Sequence, residues 1–271
     1  MSTEIEKIKL KNVKNVVVVA SGKGGVGKST VAVNLAISLA RNGLKVALVD
    51  GDIYGPSVPR MFGIEDARPE VKSDNGKEIF FPVERFGVKI MSIGFFISRN
   101  QSLIWRGPMA SNAITQIIEN TQWGDIDMMI IDYPPGTGDI QLTTVQKLEL
   151  TGALIVTTPQ EIALNDARKA ASMFTNPDLG VPLLGVIENM SWFTPAKHPD
   201  EKYFIFGKDG GKTLANELHT KLLGQIPLVQ EVGETAEKGL SIFSQTDQTV
   251  IKAFDSISEG LLKLAFQTTN N

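Results

Sequence analysis

An α/β fold, with a mostly parallel central sheet and helices on both faces, follows from three observations. Short, almost wholly apolar runs recur along the chain, as strands buried on both faces require. Most are followed by segments whose apolar residues repeat at helical spacing. A glycine-rich stretch, Ser21-Gly22-Lys23-Gly24-Gly25-Val26-Gly27-Lys28-Ser29-Thr30, joins the first run to the first such segment. The length of 271 residues is at the upper end of what one core supports. One domain over residues 15–271 is therefore expected, preceded by a polar lead-in over 1–14.

Taken in order, Asn15 to Ala20 reads as the first strand, and the helix after the glycine-rich stretch carries Val31, Leu35, Ile37 and Leu39 before Asn42-Gly43 stops it. Lys45 to Val49 is the second strand and delivers Asp50-Gly51-Asp52 at its carboxyl end. Residues 60–85 read as an excursion with a hairpin turn at Asn75-Gly76. Val88 to Ile93 is a third strand, followed by Trp105, expected in packing, and a helix with Ala110, Ile114, Ile117 and Ile118 on one face. Met128 to Ile131 ends in Asp132 and the rigid Tyr133-Pro134-Pro135-Gly136 turn. Asp139 caps a helix to Leu150. Strands at Ala153–Thr157 and Leu183–Ile187 flank a helix marked by Leu164, Ala167, Ala171 and Phe174. Beyond an aromatic-bearing loop over 191–209, Leu214, Leu218 and Leu222 mark a helix, residues 224–227 a short last strand, and Val250 to Leu264 a final core-packing helix.

The spacing G-x-x-x-x-G-K-S between a strand and a helix is that of a phosphate-binding loop. Gly22, Gly24, Gly25 and Gly27 let the backbone fold tightly, and the first amides of the helix lack carbonyl partners and suit an anion. Lys28 reaches the β- and γ-phosphates and Ser29 binds Mg²⁺, with Val26 and Thr30 completing the cradle. Ligands of open α/β sheets sit at the carboxyl ends of strands, so Asp50, Asp52 and Asp132 share the loop's edge. An acidic turn capping a helix is the plain alternative for the first two. Asp132, at the end of a buried strand, has the position of a carboxylate that orients Mg²⁺, and Gly136 is placed to sense the γ-phosphate. The fold is thus a three-layer P-loop NTPase.

The chain has 27 basic and 30 acidic side chains, a formal charge of -3, and so no general attraction for nucleic acid or anionic lipid. No apolar run nears the length of a membrane span, and the first residues carry acids where a secretory signal carries bases, so a cytoplasmic protein is expected. Cysteine is absent, which excludes thiolate ligation of zinc or of an iron-sulfur cluster by this chain. His198 beside Asp200 and Glu201 reads as a solvated loop.

Lys23 in K-G-G-x-G-K-S, with the words GDIYGPSVPRMFG, WRGPMASNA, IIDYPPGTGDIQLT, VTTPQEIALNDARK, ENMSWF and IFGKDGG, resembles the Mrp-type ATPases, also called nucleotide-binding iron-sulfur cluster carriers. The resemblance covers about residues 15–265. It implies a homodimer holding two ATP molecules with Mg²⁺, with Lys23 acting across the dimer, Asp52 positioning the attacking water, Asp50 supporting it, and Ser29, Asp52 and Asp132 about the metal. Asn189 and Pro227 belong to the nucleotide-binding set. Iron-sulfur assembly factors or apo-proteins are the implied partners. Relatives that carry clusters have a Cys-x-x-Cys pair where this chain reads Phe193-Thr194-Pro195-Ala196-Lys197-His198, so cluster ligation is doubtful. A nucleotide-switched adaptor and a division or partition ATPase are the alternatives.

Overall fold

The computed structural model describes residues 7–96, 107–244 and 248–268. Its core is an eight-stranded sheet in the order β10-β9-β8-β1-β7-β2-β6-β5. The strands are β1 (Val16–Ala20), β2 (Val46–Asp50), β5 (Val83–Arg85), β6 (Val88–Ser92), β7 (Met128–Asp132), β8 (Gly152–Thr157), β9 (Leu183–Glu188) and β10 (Leu222–Gln225). All neighbours run parallel except β5, which pairs antiparallel with β6 at one edge. The hairpin β3–β4 (Glu70–Asp74 and Lys77–Phe81) stands apart as a second sheet.

Side-chain alternation along the strands builds the two covering layers. Val17 and Val19 of β1 join one core with Leu35 and Leu39 of α1 (Lys28–Arg41) and Phe254 and Leu261 of α8 (Gln248–Thr268). Val16, Val18 and Ala20 point into the other. There they meet α3 (Gly107–Asn120), α4 (Asp139–Lys147), α5 (Glu161–Phe174) and α6 (Gly210–Glu217), through Ile114, Val145, Phe174 and Leu214. Two further helices, α2 (Val58–Met61) and α7 (Gln230–Glu237), lie on the α1 side and touch each other.

Several boundaries differ from the sequence reading, each for a local reason. The Leu214, Leu218, Leu222 repeat is not one helix: α6 stops at Glu217, His219 turns left-handed (φ 52°), and Leu222 opens β10 beside Val186. The last strand accordingly ends at Gln225, ahead of Ile226 and Pro227. The helix expected to run from a cap at Asp139 to Leu150 begins with Asp139 as its first residue, after Gly138, and ends at Lys147. There the lead-in takes over: Ile8 donates its amide to the Lys147 carbonyl at 2.6 Å and accepts from the Glu149 amide at 3.0 Å. Residues 7–14 are further held by Lys7 Nζ on the Leu179 carbonyl and Lys14 Nζ on Asp127, 2.8 and 2.7 Å. The turn Asn75-Gly76 is present, with both residues left-handed. A second such turn at Phe86-Gly87 makes β5 and β6 a hairpin. Trp105 lies outside the described residues.

Candidate nucleotide-binding site

The glycine-rich stretch is a tight loop from β1 into α1, and its glycines serve different ends. Gly27, at the cap of α1, is left-handed (φ 81°), and a Cβ there would come within 2.2 Å of Asn189 Nδ2. At Gly22 a Cβ would sit 2.0 Å from the carbonyl carbon of Asp166, so the loop lies directly on the backbone of α5. Gly24 and Gly25 meet nothing within 4 Å. Among the described residues the amides of Gly24, Gly25, Val26, Gly27 and Lys28 find no acceptor. Open space beside unsatisfied amides at a helix start is the arrangement that holds a phosphate.

The acids gather beside it through the strand register. Asp50 of β2 and Asp132 of β7 are paired neighbours, and both are buried. Lys28 Nζ donates to Asp132 Oδ1 at 2.5 Å and to Ser29 Oγ at 3.2 Å. Asp132 Oδ2 is buried with no hydrogen-bond partner. Burial pushes the Asp132 carboxyl above its usual range, and the Lys28 ammonium opposes that rise. Asp50 is pushed up to about 7, first by burial and then by the Asp132 charge. It accepts from Ser92 Oγ (2.9 Å), the Asp52 amide (3.1 Å) and the Val58 amide (3.3 Å). Asp52 is half-buried and near enough to act on Asp132 electrostatically. The Lys28 ammonium acts on both buried carboxyls, Asp50 and Asp132, and one positive charge does not balance two ionised acids. The orphaned Asp132 Oδ2, with the Ser29 hydroxyl close by, fits the hard oxygen donors that Mg²⁺ takes.

The remaining candidates lie around the same loop. Gly136, left-handed at φ 92°, donates its amide to the Ser21 carbonyl at 2.9 Å. Asn189 Nδ2 donates to the Val26 carbonyl at 2.9 Å. On the far side of the loop a cavity of about 320 Å³ is bordered by Gly27, Thr30, Asn189, Pro227, Gly233 and Ala236. Lys23 is half-exposed, and its amine makes no hydrogen bond or ion pair among the described residues. Gln141 escaped the sequence reading: buried, it donates Nε2 to the Pro134 and Gly136 carbonyls at 2.7 and 3.1 Å and fixes the turn. Nothing in its local pattern announces that role. The segment Phe193–His198 forms a bridge to Tyr203, and His198 Nδ1 meets Glu201 at 3.2 Å. Among the described residues no group of three or more His, Cys, Asp or Glu is arranged to hold a metal.

Comparison with known proteins accords with this geometry. Residues 12–262 match the family described as ParA, NUBPL iron-transfer P-loop NTPase. An iron-sulfur cluster carrier protein of Aquifex aeolicus is 48% identical over 264 residues, covering 97% of this chain and 71% of that protein. An iron-sulfur protein required for NADH dehydrogenase, from Arabidopsis thaliana mitochondria, is 43% identical, covering 95% of this chain and 80% of that protein. A solved nucleotide-binding protein from Archaeoglobus fulgidus, in complex with ADP, is 33% identical and superposes with a TM-score of 0.74. It covers 87% of this chain and 90% of its own. The cell division ATPase MinD of Pyrococcus furiosus, 21% identical with a TM-score of 0.65, covers 93% of this chain and 99% of its own and shares the fold. The chain belongs to the NUBPL-type family of iron-transfer P-loop NTPases.

Proposed function

We propose that this protein is a Mg²⁺-dependent ATPase that works in iron-sulfur cluster assembly or transfer without itself ligating the cluster. The observation that carries the first half is the Lys28–Ser29–Asp132 constellation beside five amides that find no acceptor among the described residues. The γ- and β-phosphates take the loop amides and Lys28, and the adenine takes the cavity beyond Gly27, against Asn189 and Pro227. Ser29 and Asp132 would hold Mg²⁺, with Asp52 beside them; the ion would neutralise charge that develops on the phosphate oxygens. Lys28 must leave Asp132 to reach phosphate, which frees both carboxylate oxygens. We assign Asp52 to orienting the attacking water and the Gly136 turn, which Ser21 and Gln141 hold in place, to sensing loss of the γ-phosphate.

The Lys23 amine has no partner among the described residues, which favours a role in a homodimer, its ammonium meeting the partner subunit's phosphates. A group acting in this way contributes roughly 10³ to 10⁵ in rate. Lys23→Ala should therefore keep ATP affinity and lose turnover, measured by phosphate release and by binding of a fluorescent ADP analogue. Unchanged turnover would remove Lys23 from the mechanism.

The cluster is cargo here, and this chain's residues do not fit it. No cysteine exists in the sequence, and the segment Phe193–His198 offers one imidazole already facing Glu201. The thiolates must come from a client or an assembly factor. Incubation with iron and sulfide should leave the isolated protein without the visible absorption of a cluster, and a stoichiometric cluster would overturn this part of the proposal.

A further inference from the structure

Two helix ends meet in an unusual way behind the site. α2 and α7 each finish in the motif where the amide of the second residue past the cap bonds back five residues and the preceding amide bonds back three. In α2, Ile64 donates to the Pro59 carbonyl at 2.9 Å and Gly63 to that of Arg60 at 2.9 Å. In α7, Leu240 donates to Thr235 at 2.9 Å and Gly239 to Ala236 at 3.3 Å. Gly63 (φ 64°) and Gly239 (φ 63°) are both left-handed, and they pack on each other. A Cβ on Gly239 would lie 2.3 Å from Gly63 Cα and 2.5 Å from its nitrogen, backbone atoms that cannot swing away. An Arg60–Glu237 ion pair spans the same junction.

Each helix has its other business at the nucleotide site. α7 supplies Val232, Gly233 and Ala236 to the wall of the cavity beyond Gly27. α2 starts from Val58, whose amide donates to Asp50 Oδ2, the acid two residues before Asp52. The two ends of this path are joined through the backbone contact of Gly63 with Gly239, and close-packed backbone passes displacement on rather than absorbing it. We infer that the Gly63–Gly239 contact is a positioning joint: filling the base cavity moves α7, and α7 moves α2 and with it the Asp50–Asp52 turn. Recognition of the base at one end of the nucleotide thereby sets the acids at the other. The inference rests on the cavity being the base site proposed above.

The absence of cysteine allows a direct test. Tyr54, 74% exposed in the turn after Asp52, is replaced (Tyr54→Cys) and labelled with an environment-sensitive fluorophore. Adenosine, which carries a base and no phosphate, is then titrated, while its binding is followed separately by competition with a fluorescent ADP analogue. Adenosine should change the emission of the label, and the change should vanish in Gly239→Ala although competition persists. Glu237→Arg, which sets two guanidinium groups against each other at the surface and leaves the core intact, should weaken the response too and serves if Gly239→Ala does not fold. Competition without any emission change, or a response unaltered in both variants, overturns the joint while leaving the base site standing. Absence of competition overturns the base site itself, and the joint with it.

Discussion

Replacing Lys28 with Met isolates the buried charge pair on which the site is built. Lys28 is 6% exposed and Asp132 fully buried, with 2.5 Å between Nζ and Oδ1. Removing the ammonium leaves a carboxylate in the core whose second oxygen already lacks a partner. Breaking such a pair from one side costs about 3–5 kcal/mol. The carboxylate can escape part of that by taking a proton, and the sign of the resulting pH dependence follows. Burial already holds the Asp132 carboxyl above its unfolded value, and loss of Lys28 raises it further. The native variant then binds a proton that the unfolded chain has released, so its stability falls as pH rises and recovers as pH falls. Between the folded values of wild type and variant, each unit of pH lowered restores about 1.4 kcal/mol relative to wild type. Urea unfolding across a series of pH values measures this directly. The expected result is a deficit of several kcal/mol at the alkaline end of the series, narrowing toward the acid end, and largely abolished by adding Asp132→Asn. A deficit constant across the series, or none at its alkaline end, would refute the assignment of Lys28 as the counter-charge of a buried acid.

Other perturbations read different parts of the site. Gly22→Ala drives a Cβ into the backbone of α5 and should cost about 2 kcal/mol, lowering Tm by about 4–8 °C, whereas Gly24→Ala, with open space around it, should leave Tm unchanged and weaken ADP binding. Gly233→Leu projects into the base cavity, so competition assays should show ADP binding at least about tenfold weaker, a loss of about 1.4 kcal/mol, while inorganic tripolyphosphate binds as before. Asp50, at about 7, is near half-ionised at neutral pH, and a divalent cation beside it favours the ionised form. Binding of Mg-nucleotide at pH 7 should release up to about half a proton, seen by calorimetry in buffers of different ionisation enthalpy, and Asp50→Asn should remove that release.

What the sequence discloses here depends on how local the cause is. The phosphate loop and the acids at strand ends are read from spacing within single segments, and Gly27, Lys28, Ser29, Asp132, Asn189 and Pro227 do come together around one loop. The hairpin turn at Asn75-Gly76 is equally local. Elements set by distant partners are not legible in this way. Leu222 continues a leucine repeat, yet pairing with Val186 across the sheet draws it into a strand. The early end of α4 is caused by Ile8, far away in sequence. The β5–β6 turn puts Phe86 in a left-handed conformation that its residue type disfavours, offset by its ring lying 5.8 Å from that of Phe62. α7 is short and polar on most sides, and its meaning rests in Gly239 meeting Gly63. Gln141 is silent in sequence for the same reason, since its two acceptors are carbonyls.

The borders of the main sheet bear on how two molecules can come together. Bare strand borders invite another chain to extend the sheet and lead to aggregation. One border here is β5, only three residues long, with charged Glu84 and Arg85 exposed. The other is β10, four residues long and backed by α8. Neither offers a long apolar template, so lateral growth of the sheet is discouraged at both ends. Copies that associate would do so away from strand pairing, and exposed apolar surface for it is present beyond the carboxyl ends of the strands at Tyr54, Ile162, Tyr203 and Ile205.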